Sequence, residues 1–252
     1  MKPLIGIPMD LVPDIDNKLA SGMPELMIAL TPQATIDAVR AGGGDAVGLP
    51  LVKSLDEALE LCQHIDGLVV PVGDDLAPES SGVPLGRYSG KSRLFKDESD
   101  IWYIKAMIQL HRPVFGCCRG MQLINSALGG NMHEHLPLIT DGSIVHSAPA
   151  SKAWSILHEV TVEPDSFLAK AVGVTRLPVN SFHHMSLKKL GDGLRCVATA
   201  DDGVVEAVEN ADGTIAGVQW HPECLFDRMP EQKKIFEAFV ALVQKTMQQA
   251  TA

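Results

Sequence analysis

A short apolar run, Pro113-Val114-Phe115, passes into a helix-like stretch at 121–128 through Gly-Cys-Cys-Arg-Gly at 116–120. A chain that goes from strand to helix in so few residues must turn sharply. Glycines at 116 and 120 fit such a turn, because the absence of Cβ lets two backbones approach closely. The second cysteine, Cys118, then lies at the amino end of a helix. Unpaired backbone N–H groups and the helix dipole favour negative charge there, and so favour a thiolate.

The same strand-then-helix grammar fills the first half of the chain. Strands are predicted at 4–9, 46–51, 67–72 and 113–117, and helices at 30–41, 55–64 and 98–110, with Gly42-Gly43-Gly44 as a helix stop. Alternation of this kind predicts an α/β fold with a parallel sheet covered on both faces. Ligands of such sheets gather at the carboxyl ends of the strands, where Cys118 is expected. Beyond Ile144 the texture changes to short strands at 158–162, 194–198, 204–209 and 214–220, with Asp212-Gly213 as a hairpin turn and a closing helix at 231–248. No linker or repeat divides the chain, so one domain over 1–252 is expected, with residues 10–30 and 74–96 as extended loops walling a site.

Composition narrows the function classes. The net charge of −10 argues against nucleic acid or an anionic membrane as partner. No run approaches the ~20 apolar residues of a membrane helix, and the amino terminus lacks a signal-peptide pattern. Five cysteines in no zinc-like or redox spacing point to free thiols and a cytoplasmic location. The basic cluster at 91–96 reads as a solvated loop, with steering of a carboxylate-bearing substrate as the alternative.

Cys118 is the candidate nucleophile, an inert core cysteine being the plainer reading of the residue alone. Trp-His-Pro-Glu at 220–223 supplies a partner set. His221 would take the thiol proton and later protonate a leaving amine, and Glu223 would fix its tautomer. Strand alternation turns Cys117 away from Cys118 and into the core. The backbone N–H of Arg119 is one oxyanion donor by its place after the nucleophile.

Gly-x-Cys-Arg-Gly-x-Gln at 116–122, Val-Asn-Ser-Phe-His-His at 179–184, Asp-Gly-Val-Val-Glu-Ala at 202–207 and Gly-Val-Gln-Trp-His-Pro-Glu at 217–223 resemble class I glutamine amidotransferase-like hydrolases, in the γ-glutamyl-γ-aminobutyrate hydrolase (peptidase C26) branch. The resemblance implies a flavodoxin-like three-layer αβα sandwich, mainly parallel, with a small antiparallel strand region. It implies cleavage of a small-molecule γ-glutamyl amide, as in amine or polyamine catabolism, without a cofactor. Gly73 is implied as the second oxyanion donor, although Val72 stands where relatives carry glycine. A β-branched residue would be strained there if the backbone required positive φ. Gln122 is implied to hold the γ-glutamyl group, unless it only braces its own helix. Asn180, Ser181, Phe182 and His183 resemble the segment that recognises the α-amino and α-carboxylate groups, partly through backbone atoms. Met185 replaces a usual glutamine, which marks either a different leaving group or neutral packing.

His133-Glu134-His135, with His146 and His158 nearby, invites a metal reading. There is no His-Glu-x-x-His helix and a thiol mechanism needs no metal, so these histidines are expected to satisfy backbone groups or line the site, with no metal bound. A homodimer is compatible with the sequence. Two rival functions remain beside the hydrolase: a glutaminase subunit feeding ammonia to a partner synthetase, and a catalytically silent regulatory relative.

Overall fold

The computed structural model describes residues 1–13, 27–148 and 151–250. In chain order the strands are β1 (Leu4–Pro8), β2 (Asp10–Pro13), β3 (Met27–Leu30), β4 (Asp45–Leu49), β5 (Gly67–Val70), β6 (Val114–Cys117), β7 (Asn131–His133), β8 (His158–Val162), β9 (Arg176–Val179), β10 (Ser186–Lys189), β11 (Leu194–Ala200), β12 (Val205–Asn210) and β13 (Ile215–Val218). The helices are α1 (Gln33–Ala41), α2 (Leu55–Cys62), α3 (Pro78–Ser81), α4 (Leu94–Gln109), α5 (Arg119–Ala127), α6 (Phe167–Val172) and α7 (Pro230–Ala250).

Nine strands form one sheet in the order β4-β1-β5-β6-β13-β12-β11-β8-β9. The first five run parallel, and the pairings from β13 to β9 are antiparallel. The antiparallel strands are thus no separate appendage; they continue the parallel sheet beyond β13. Strand alternation splits the core into two layers, as a sheet buried on both faces requires. Ile5, Val69, Phe115 and Trp220 pack with Phe236, Phe239 and Val243 of α7 and Val39 of α1. Leu68, Val70 and Val114 face the other way, against Tyr103, Ile104 and Met107 of α4 and Leu123 and Ile124 of α5. The result is the expected flavodoxin-like α/β fold.

Several boundaries differ from the sequence reading. The helix expected from residue 30 starts at Gln33, because β3 pairs with β2 as an antiparallel hairpin through Leu30 and Pro32 follows. The expected 10–30 loop is therefore partly strand, and its middle, 14–26, lies outside the described residues. Helix α4 begins at Leu94 rather than 98, which corrects the solvated-loop reading of 91–96. Arg93 bonds Asp10 and the Leu11 carbonyl, and Lys96 is buried beside Asp100.

The strand-to-helix turn is as sharp as the glycines imply. Cys118 has φ 51° and ψ −107°, a conformation that costs on the order of 1–3 kcal/mol for a residue bearing Cβ. It is held by close packing: a Cβ at Gly116 would overlap the Gly120 backbone, and one at Gly120 would overlap the Val70 carbonyl. Among the described residues the other non-glycine positive φ belongs to His111, so Val72 carries no such strain. Gly120→Ala is accordingly expected to lower unfolding free energy by about 1–3 kcal/mol, measured by denaturant titration.

Candidate active site

Parallel pairing decides which residues meet. β6 is flanked by β5 and β13, and all three end at the same edge, with Val218 in register with Cys117. The residues just past those ends are Gly73 after β5, Cys118 after β6 and His221 after β13. Residues far apart in the chain thus converge at the carboxyl edge of the sheet.

Cys118 is 7% exposed, and its backbone N–H donates to the Val218 carbonyl at 2.8 Å. Its sulfur accepts from Gln219 Nε2 at 3.5 Å, and Gln219 Oε1 accepts from Gln122 Nε2 at 3.2 Å. Gln219 is a contact that the sequence reading passed over, although it lies inside the 217–223 motif. Cys117 is fully buried in the core with Glu223 beside it, and burial first, then the Glu223 charge, hold its thiol well above the usual cysteine pKa.

His221 Nδ1 lies 2.9 Å from Glu223 Oε1, and Nε2 has no hydrogen-bond partner among the described residues. Burial opposes charge on this imidazole, but attraction to Cys118 and Glu223 outweighs it and raises its pKa well above the ordinary histidine value. The ring is held from several sides. Trp220, immediately before it, is buried and donates from its indole to Gln232 of α7 at 2.9 Å. Asn180 accepts from the His221 N–H at 2.9 Å and donates to its carbonyl at 3.0 Å. Phe182 packs edge-on against the imidazole, with ring centres 5.6 Å apart.

Those contacts redefine the 180–183 segment. Asn180 also bonds the Ala153 carbonyl and is fully buried, so its side chain clamps the histidine backbone. Ser181 donates to the His146 carbonyl at 2.6 Å and is likewise buried. His183 turns inward, toward Glu206. Of the four, Phe182 is the side chain that is both part-exposed and against His221. Met185 packs with Met121, Met132, Leu187 and Val208, which favours the packing account of its replacement.

The residues expected to supply the oxyanion donors are in contact through the Arg119 side chain. Arg119 opens α5, where the first backbone N–H groups have no intrahelical acceptor. Its side chain runs under Gly73, where a Cβ would come within 2.8 Å of Arg119 Cδ. The guanidinium then bridges Asp100 at 2.6 Å and Asp97 at 2.5 Å, while Asp97 also accepts from the Ala77 N–H at 2.7 Å. This buried network ties the loop after β5 to the start of α5. Removing one member of such a pair costs about 3–5 kcal/mol, because the other charge is left buried. Asp97 and Asp100 share a face of α4 at i, i+3, a spacing visible in the sequence. What that spacing could not reveal is that Arg119 packs against this face.

No helix among the described residues is long and apolar enough to cross a membrane. His133, Glu134 and His135 are not among the groups whose donor atoms converge there; His135 instead stacks on Tyr88 and lies 3.1 Å from His184.

Comparison with known proteins gives the family and the fold. The chain is 33% identical over 212 residues to the putative glutamine amidotransferase-like protein YvdE of Lactococcus lactis, covering 84% of this chain and 88% of the relative. It is 29% identical over 220 residues to the gamma-glutamyl-gamma-aminobutyrate hydrolase PuuD of Escherichia coli, covering 83% and 84%. The crystal structure of a putative GMP synthase protein from Thermoplasma acidophilum shares the fold at a TM-score of 0.66 and 16% identity, over 100% of both chains. The family model of peptidase C26 matches residues 3–223, and the chain belongs to that family of glutamine amidotransferase-like hydrolases.

Proposed function

We propose that the protein hydrolyses γ-glutamyl amides through a γ-glutamyl thioester on Cys118. One observation carries the reading: a cysteine held at positive φ on a helix amino end, just past β6, shares the carboxyl edge of the sheet with a histidine just past β13 whose Nδ1 lies 2.9 Å from Glu223. A thiolate–imidazolium pair is the reactive form of such a set. Similarity to a γ-glutamyl-γ-aminobutyrate hydrolase supports the γ-glutamyl part.

In the first half-reaction the Cys118 sulfur attacks the γ-carbonyl carbon. The N–H groups of Gly73 and Arg119 hold the oxyanion, and the C–N bond breaks as His221 protonates the departing amine. In the second, His221 takes a proton from water as its oxygen attacks the thioester carbon. The C–S bond then breaks, releasing glutamate and restoring the thiolate. Glu223 keeps Nδ1 of His221 engaged throughout, so that Nε2 faces the reacting atoms. Phe182, against the imidazole, is positioned to border the bound substrate.

Two experiments test this. Burial raises the thiol of Cys62 to about 12 and that of Cys224 to about 11, and it also raises Cys196 and Cys117. A raised thiol pKa means less thiolate at neutral pH, so brief treatment with iodoacetamide at pH 7 is expected to modify Cys118 first, as mapped by peptide mass spectrometry. Equal or preferential modification of another cysteine would remove the basis for an activated Cys118. The second is glutamate release from a panel of γ-glutamyl amides and free glutamine by the wild type and Cys118→Ser. Release from amides, reduced at least about 10³-fold in the variant, is expected. Release from glutamine alone would indicate a glutaminase, and release that survives in the variant would exclude the thioester route.

A further inference from the structure

Behind the 180–183 segment lies a second polar cluster that the proposed hydrolysis does not use. Glu206 of β12 is fully buried, and three histidines from separate parts of the chain face one of its oxygens. His146 Nδ1 is 3.1 Å from Glu206 Oε1, His158 Nε2 is 3.3 Å away, and His183 Nε2 is 3.6 Å away. The four side chains are between 0% and 4% exposed.

The histidines' other nitrogens are already engaged. His158 Nδ1 lies 3.2 Å from the Val145 carbonyl, and His183 Nδ1 lies 2.8 Å from the Met185 carbonyl. A carbonyl only accepts, so each Nδ1 carries the proton and each Nε2 of the neutral ring presents a lone pair. His146 Nε2 lies 3.0 Å from Asp202 Oδ2, which by the same logic leaves its Nδ1 as a lone pair. The three inward nitrogens and both Glu206 oxygens have no hydrogen-bond partner among the described residues. Their separations are near hydrogen-bond length, yet their alignment is not that of hydrogen bonds.

Lone pairs and a carboxylate converging in a buried site repel one another unless something positive sits between them. Protonating all three rings would supply three positive charges against Glu206 and Asp202, at the cost of burying an excess cation. A single divalent ion between His146 Nδ1, His158 Nε2 and Glu206 satisfies two of the orphaned nitrogens together with the carboxylate. The distances to the carboxylate fit one: tetrahedral zinc with bonds of about 2.0–2.1 Å places its ligands roughly 3.3 Å apart, and His146 Nδ1 and His158 Nε2 lie 3.1 and 3.3 Å from Glu206 Oε1. The donor atoms of His146, His158 and Glu206 all lie within 4.8 Å of one another. The outward bonds to carbonyls and to Asp202 are the outer shell that orients histidine ligands in metal sites. His146 and His183 also line a surface groove with Thr140, Ile144 and His184, which provides an entry path.

We infer that His146, His158 and Glu206 bind one divalent transition-metal ion, zinc by its donor set, at a buried site that braces the catalytic histidine. His183 Nε2, 3.6 Å from Glu206 Oε1, lies beside these three converging donors and is not one of them. It would join β8 and β12 to the loop at His146, whose carbonyl accepts from Ser181. From there, Asn180 clamps His221, and Gln219 N–H donates to the Glu206 carbonyl at 2.7 Å. This inference departs from the sequence expectation of no metal. It stands independently of the γ-glutamyl reading, since its test measures metal and not turnover.

The test is elemental analysis of protein purified without a polyhistidine tag or chelator, followed by zinc titration of stripped protein against a chromophoric chelator. About one zinc per chain is expected in the wild type, in Cys118→Ser and in Cys224→Ser, the last excluding the neighbouring His221–Glu223–Cys224 group as the site. His158→Ala and Glu206→Gln are expected to lose it. Asp202→Asn, which alters no ligand, is expected to weaken zinc affinity about 10–100-fold while leaving the fold intact by circular dichroism. A folded wild type that arrives metal-free and takes up no zinc would overturn the inference. So would zinc retained undiminished in both ligand variants.

Discussion

Everything at the proposed catalytic edge depends on how closely β6 and α5 approach each other and β5. Gly116 lies against Gly120, and Gly120 lies against the Val70 carbonyl, with no room for a methyl group at either point. That contact forces the chain through positive φ at Cys118. Two buried layers hold the strained turn: α4 and α5 on one face, α1 and α7 on the other. A strain of a few kcal/mol is small beside the apolar burial that maintains it.

The groups around the sulfur are held mainly by buried polar contacts. Arg119 couples the loop after β5 to α5 through Asp97 and Asp100, which relates the two expected oxyanion donors to each other. Asn180 grips the His221 backbone at both its N–H and its carbonyl, and Glu223 holds the ring. The histidine is therefore oriented before any substrate arrives, the condition under which an acid–base group acts without reorganising. The His146–His158–Glu206 cluster lies one shell further out, behind the same segment.

Local patterns were legible in the sequence. The strand–Gly–helix turn, the alternation of the first half and the 220–223 motif each reflect short-range rules of backbone and burial. Strand order was not, because it depends on which surfaces fit: nothing in residues 205–218 says that β13 lies beside β6 or that β12 extends the same sheet. Asn180 shows the same limit. Its motif was recognisable, but only the fold reveals that its amide faces the backbone of His221. His146 and His158 were legible as candidate ligands beside His133-Glu134-His135, but their convergence on Glu206 was not, because the three are spread over 61 residues without a regular spacing.

The central claim is that one acyl-enzyme on Cys118 is common to all substrates. Hydroxylamine competes with water for such a thioester after the amine has left. With two γ-glutamyl amides of different leaving amine, the ratio of γ-glutamyl hydroxamate to glutamate should therefore be the same at a given hydroxylamine concentration. A shared ratio, with both products lost in Cys118→Ser, is the predicted result. A ratio that changes with the amine, or glutamate formed with no hydroxamate at all, would contradict the account.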